Sequence, residues 1–365
     1  MFDVSIECIS VQDFRSLKFL NLSFSKPINI IYGENNAGKT SLLEAIYICS
    51  NFKSFKSVSN TELINNSSKS FKISLKYSKN SINYSIYLEK SLKSSKVLYN
   101  NKPTTKKAIS LAFPCYSLVF GFNNILLNDS SYRRSFLDSG MFHVEPKSEN
   151  HYKNFEKCLK QRNFLLKTKH SIDNNNWDDQ LVSTNRSLSE FRQNYFNHLN
   201  QEFIKIINDL KKEIPEIYND ISSLSLDYYK GWDKLNFEET LKANINKDIR
   251  AGYTNSGTHR SDFYVYSHNK PVRESGSMST LIIACLIINL ARINVFHVKH
   301  GFKPTLLIDD LFFGIDKKNL AAVVKLLVYI KGNIVLTAPN IYIDILKQVC
   351  QESNDIEIIN MEQKA

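Results

Sequence analysis

The sequence predicts an α/β fold: a mixed β-sheet around a phosphate-binding loop, with a helical lobe inserted before the acidic strand that completes the sheet. Three observations predict it. A continuous apolar run, Pro27-Ile28-Asn29-Ile30-Ile31-Tyr32, feeds straight into Gly33-Glu34-Asn35-Asn36-Ala37-Gly38-Lys39-Thr40, a full GxxxxGK[ST] match. Residues 40–49 then carry Leu42, Leu43, Ile46 and Tyr47 at helical spacing. Far downstream, Thr305-Leu306-Leu307-Ile308 reads as a buried strand ending in Asp309-Asp310.

Taken in order, the chain opens with strands. Val4, Ile6 and Cys8, then Leu20, Leu22 and Phe24, alternate with polar residues at period two. Residues 71–99 alternate again (Phe71, Ile73, Leu75, Tyr77; Ile82, Tyr84, Ile86, Leu88), which predicts antiparallel hairpins with lysines on their polar side. From about residue 146 the period becomes helical. Phe155, Leu159 and Leu166 mark one helix; Leu188, Phe191, Tyr195, Leu199, Phe203, Ile206 and Leu210 mark a longer one. After about residue 250 strands and helices alternate, and residues 333–336 read as another buried parallel strand. The expected division is 1–145 for the lobe with the phosphate loop, 146–250 for the helical lobe, and 251–365 for the rest of the core.

Composition bounds the class. At 365 residues, roughly 100–200 per domain gives about two to three domains. With 42% hydrophobic and 23% charged residues, neither global disorder nor a collagen-like chain is expected. The longest strongly apolar run, residues 281–288, is short of the ~20 residues of a membrane span. The opening Met1-Phe2-Asp3-Val4-Ser5-Ile6-Glu7 lacks the basic and apolar regions of a signal peptide. Cys8, Cys49, Cys115, Cys158, Cys285 and Cys350 form no CxxC pair, so reduced thiols in a cytoplasmic protein are expected.

The charge is uneven. Net charge is +11, and residues 51–110 hold twelve lysines against Glu62 and Glu89. That one segment carries nearly the whole excess and points to a polyanion as partner. Lys53, Lys56, Lys69, Lys72, Lys76 and Lys79 are the candidate phosphate contacts.

The loop motif has a physical logic. Its backbone N–H groups cradle phosphates at the positive end of the following helix. Gly33 through Thr40, with Ser41 beside them, form the candidate ATP cradle. Lys39 would reach the β- and γ-phosphates, Thr40 would hold Mg²⁺, and Asp309 would order that ion through water. Asp310 would polarise the attacking water. Asn36 stands where many such loops have Gly, and Asn tolerates positive φ better than most residues. An acidic strand end, then Asp316, then a strand reaching Thr337, is the order of an ABC-type ATPase head, a P-loop NTPase. Lys39 and Asp309 lie 270 residues apart, too far for a transporter head and too near for a chromosome-organising SMC protein.

Several short blocks then resemble the RecF family. Asp13-Phe14-Arg15 is similar to its FR motif, and Ser54-Phe55-Lys56 stands at its SFR position. Arg133-Arg134-Ser135-Phe136-Leu137-Asp138 resembles RRxFLD, and Gln161-Arg162-Asn163 resembles QRN. Tyr229-Lys230-Gly231-Trp232 and Gly257-Thr258-His259-Arg260-Ser261-Asp262 resemble the later YxxGW and GPHRDD blocks. Two segments depart from the pattern. Counting back from Leu290-Ala291-Arg292 puts Ser277-Met278-Ser279-Thr280 at the signature, although Ser275-Gly276 also fits; Gly314-Ile315-Asp316 replaces the usual D-loop.

The resemblance implies an ATP-gated homodimer in which Ser277 and Asp316 cap nucleotide bound by the other subunit. It further implies binding to single-stranded DNA and gapped or junction duplex, slow hydrolysis, and loading of RecA with RecO and RecR. A degenerate relative that holds ATP without cycling stays open, as does an OLD-type ATPase. Trp177 and Trp232 are expected to be packing anchors, His259 a structural hydrogen-bonder, and the hairpin tyrosines part of a half-buried sheet. Arg133 and Arg134 fit either an internal salt bridge or a phosphate contact.

Overall fold

A computed structural model describes residues 4–56, 59, 61–119, 125–168, 176–233, 236–312, 315, 317–351 and 353–362. They fall into two compact units. The first comprises Met1–Asn124, Leu210–Asn219 and Met278–Ala365; the second comprises Ile125–Asp209 and Asp220–Ser277.

The first unit holds two sheets. One is parallel throughout, with the strands Ile356–Asn360, Ile28–Gly33, Ile334–Pro339, Thr305–Asp309 and Cys115–Val119 side by side in that order. Its central strands are apolar along nearly their whole length because both faces are covered: Ile30, Ile31, Ile308, Val335 and Leu336 are fully buried. The other sheet is antiparallel, ordered Leu17–Ser23, Val4–Phe14, Ser70–Lys79, Ile82–Ser91, Ser95–Tyr99 and Lys102–Pro103. Here the period is two. Phe71, Ile73, Leu75 and Tyr77 enter the core, while Lys72 and Lys76 point to solvent. Tyr77 stacks on Tyr84, and Tyr84 on Tyr99, so these rings pack the sheet as expected.

The helix Met278–His300 is long and apolar enough, by composition, to cross a membrane, which the run at residues 281–288 alone does not suggest. In the protein 83% of its most apolar window is buried, so its all-round hydrophobicity is that of a core helix.

The second unit contains the helices Ser130–Val144 and Ser148–Thr168 and most of Asn176–Glu213. It also contains a three-stranded antiparallel sheet, Lys270–Pro271, Asp262–Ser267 and Leu224–Tyr229, that the helical pattern did not announce. The sequence boundaries at 145 and 250 therefore move to 125 and 277. The reason lies in ion pairs. Arg133 on the helix Ser130–Val144 grips both oxygens of Asp262, at 2.7 and 2.8 Å. Arg192 bonds Asp138 at 2.7 Å, the Thr258 carbonyl at 2.6 Å and the Ser261 hydroxyl at 2.7 Å. Arg162 bonds Asp178 and Asp248, each at 2.7 Å. All three arginines are buried. Arg133 thus resolves as an internal salt bridge, and Arg134 donates to the Ser261 carbonyl at 2.9 Å. His259 bonds the Thr254 carbonyl at 2.9 Å, and burial pushes its pKa down to about 4, as befits a structural imidazole.

Removing one partner of such a pair strands a buried charge. Asp262→Ala is expected to destabilise the second unit by about 3–5 kcal/mol in urea unfolding. The double change Arg133→Met with Asp262→Leu should recover most of that loss. A loss below about 1 kcal/mol for Asp262→Ala would show that the pair carries no weight.

Candidate functional site

The site assembles at the C-terminal ends of parallel strands, all within the first unit. The strand Ile28–Gly33 lies one strand from Ile334–Pro339 and two from Thr305–Asp309. Ligands of open parallel sheets bind at this edge. Gly33 leads into the loop, and the helix Lys39–Asn51 begins at Lys39. The turn needs two left-handed residues: Asn36 has φ 74° and Gly38 φ 88°. A side chain at Gly38 would also strike Leu17, because the turn after Val4–Phe14 lies against the loop. The N–H groups at this helix start have no intrahelical acceptor, which makes them a ready anion cradle.

Lys39 donates from its ammonium to the carbonyls of Gly33 and Glu34, both at 2.7 Å. Partial burial lowers its pKa, against the pull of Asp310, Asp309 and Glu362. Ser41 is buried on the helix. The Thr40 hydroxyl lies 3.0 Å from both carboxylate oxygens of Asp309. Two residues far apart in sequence are thus brought to one point. Asp309 is buried, and Thr337 donates to its Oδ1 at 2.9 Å. The Asp310 N–H donates to Thr337 Oγ1 at 3.0 Å. Asp310 itself sits at φ 58°, a left-handed conformation uncommon outside Gly and Asn. Its carboxyl pKa is raised by partial burial and by the Asp309 charge, while Lys56 and Lys39 pull it down.

A metal ion fits this donor set. Mg²⁺ takes hard oxygen ligands, keeps several waters, and binds through one or two protein groups plus phosphate oxygens. Thr40 Oγ1 and the Asp309 carboxylate supply such a pair.

The structure divides the six lysines. Lys53, Lys69, Lys72 and Lys76 are exposed. Lys79 is not among them: its ammonium sits 3.3 Å from the centre of the Phe302 ring, and burial lowers its pKa. Lys56 also departs from the expected row, since its ammonium lies 3.3 Å from Asp309 Oδ2, inside the site. Ser277 is the last residue of the second unit, directly ahead of the helix Met278–His300. Asp316, expected to act from the other subunit, lies outside the described residues.

Sequence reasoning missed two carboxylates. Glu44 is fully buried on the loop's helix and pairs with Arg15, whose Nη2 donates at 2.9 Å. Glu362, past the strand Ile356–Asn360, accepts the Glu34 N–H at 2.7 Å. The only sequence signal for either was the Asp13-Phe14-Arg15 block, which supplies the partner of Glu44.

Comparisons with known proteins agree with this geometry. The model of the AAA ATPase domain family matches residues 5–300, well over half of the chain. The RecF protein of Teredinibacter turnerae is 30% identical over 339 residues, covering 90% of this chain and 87% of its own. That of Lachnospira eligens is 29% identical over 324 residues, covering 85% and 86%. A solved structure of the recombination mediator RecF with ATP, from the RecFOR pathway, superposes with TM-score 0.74 at 22% identity, over 99% of this chain and 98% of that one. At that identity the superposition speaks for the fold, an ATPase head, while the sequence matches speak for descent. The chain belongs to the RecF family of DNA replication and repair proteins and carries its AAA ATPase domain.

Proposed function

We propose that this protein is an ATP-dependent DNA-binding protein of replication and recombinational repair. It acts in the cytoplasm as a nucleotide-gated homodimer on single-stranded DNA and on gapped or junction duplex. It promotes RecA loading together with RecO and RecR. The observation that carries the reading is the convergence of the Thr40 hydroxyl and the buried Asp309 carboxylate, 3.0 Å apart, beside a complete phosphate loop.

The residues divide the work. The loop amides and Lys39 hold the ATP phosphates. Thr40 and Asp309 hold Mg²⁺, which when bound supplies charge neutralisation at the phosphates. Asp310 accepts a proton from the attacking water. Its raised pKa suits that task, because a stronger base takes the proton more readily at neutral pH. Ser277 and Asp316 serve the nucleotide held by the other subunit of the dimer. Hydrolysis is slow and acts as a release timer.

The DNA contacts are the exposed lysines Lys53, Lys69, Lys72 and Lys76. Lysine-to-phosphate contacts carry no sequence information, so base preference is not part of the reading. Support comes from the concentration of charge: twelve lysines against two acids in residues 51–110. Strand register tempers it, because Glu89 stands between Lys72 and Lys96.

Two mutations test the nucleotide site. Lys39→Met should weaken ATP binding by about a hundredfold, the scale of removing one charge-assisted hydrogen bond to phosphate. Wild-type affinity would sink the assignment. Asp310→Asn should keep ATP binding and lose hydrolysis. In the wild type, hydrolysis should fall as pH drops through the raised pKa of Asp310, so the acidic limb should lie above the ordinary aspartate value of about 4. An Asp310→Asn variant that turns over at the wild-type rate would remove Asp310 from the mechanism.

The lysines are tested separately. Lys69, Lys72 and Lys76 changed together to Gln should weaken duplex binding and lower the salt slope by about 0.9 for each phosphate no longer neutralised. Lys79→Gln should leave the slope unchanged. Equal slopes in the triple variant and the wild type would reduce the lysine row to a solubilising surface.

A further inference from the structure

Lys56 is the lysine that the charge count misplaces. It belongs by sequence to the lysine-rich segment, yet its ammonium lies 3.3 Å from Asp309 Oδ2. A buried carboxylate is costly unless a countercharge meets it. Asp309 is 1% exposed, and its hydroxyl partners Thr40 and Thr337 are neutral. Lys39, the other ammonium nearby, bonds the carbonyls of Gly33 and Glu34. Among the described residues, the direct ionic contact to Asp309 is thus Lys56.

The segment that carries Lys56 is fastened to the loop's own helix. Ser54 donates its hydroxyl to the buried carboxylate of Glu44, which Arg15 also holds. Phe55 packs edge-on against Tyr47 at 5.4 Å between ring centres. Glu44 and Tyr47 are three residues apart, on one face of the helix. The Lys56 N–H donates to Ser54 Oγ at 2.8 Å, which closes the turn. The backbone at Lys56 is therefore anchored, while its side chain is not: 39% of it is exposed. The ammonium can leave Asp309 without dismantling any packing.

We propose that Lys56 is a built-in counter-cation of the metal site, holding the Asp309 carboxylate until a divalent metal displaces it. The proposal rests on the reading above that Thr40 and Asp309 are the protein's metal ligands. An ammonium and a divalent ion beside one carboxylate repel each other, whether the metal meets the carboxylate directly or through a water, so each weakens the other's hold. Metal alone therefore binds weakly. Metal arriving with nucleotide phosphates brings negative charge that offsets the displaced ammonium, so the two ligands load together.

The test is a Mn²⁺ titration of the full chain, followed by electron paramagnetic resonance, without nucleotide. Four proteins are compared: wild type, Lys56→Gln, Lys56→Arg and Asp309→Asn. Lys56→Gln should bind Mn²⁺ alone about two- to fivefold more tightly, the scale of one part-exposed charge pair. Lys56→Arg, which keeps the charge, should stay close to wild type. Asp309→Asn should abolish the site. If Asp309→Asn abolishes binding but Lys56→Gln leaves it unchanged or weaker, the metal site stands and the counter-cation assignment is overturned. If Asp309→Asn has no effect, the metal binds elsewhere and the reading of the site fails with it.

Discussion

The carboxylate of Asp309 is the constraint on which the site depends. A buried acid must be met by donors, and here they come from separate stretches of chain: Thr40 at the start of the loop's helix, Thr337 on the neighbouring strand, and Lys56 just beyond that helix. Satisfying it fixes the spacing between the loop and the acidic strand. The parallel sheet makes this possible. With Ile334–Pro339 interposed between Ile28–Gly33 and Thr305–Asp309, the helix start that follows one strand and the end of the other arrive close enough for Thr40 and Asp309 to meet. The same strand supplies Thr337, which also receives the Asp310 N–H and so orients both acids through one hydroxyl.

What could be read in the sequence is what local pattern dictates. The loop, its flanking strand and helix, and the acidic strand follow from residue type and period alone. So does the left-handed Asn36. The inward row Phe71, Ile73, Leu75, Tyr77 follows from strand alternation, and so does the outward direction of Lys72 and Lys76. Lys79 is in phase with the inward row, not with Lys72 and Lys76, and Phe302, more than two hundred positions on, offers a ring face to its ammonium. Lys56 belongs to no strand, and Ser54 and Phe55 beside it are tied to the helix that precedes them. Neither partner leaves a mark near the lysine in sequence. The compact units divide the chain elsewhere for the same reason: Arg133 and Asp262 are 129 residues apart, and their pairing is made only in the fold. Glu362 had no local signal at all.

Two uses of buried charge stand side by side in this chain. The arginines of the second unit are closed: Arg133 is held by both oxygens of one aspartate, and Arg192 by a carboxylate, a carbonyl and a hydroxyl. Planar guanidinium groups suit such fixed, multiply bonded sites. Lys56 meets Asp309 at the end of a flexible stem. The first arrangement resists change and the second permits it, which is the distinction expected between a scaffold and a site that must exchange ligands.

The strand Ile356–Asn360 lies directly beside Ile28–Gly33, and Glu362 reaches the loop's Glu34 N–H. An early-made and a late-made part of the sheet are thus immediate neighbours. During synthesis the phosphate loop leaves the ribosome early but lacks its flanking strand until more than three hundred further residues have emerged. The whole of the second unit emerges before that strand does and has time to form first. A nascent chain therefore carries an unfinished loop for most of its translation and completes the pocket only once that strand is free to pair. A premature stop after residue 339 but ahead of this strand would yield a chain with the loop and both acids present and the sheet still open at its edge.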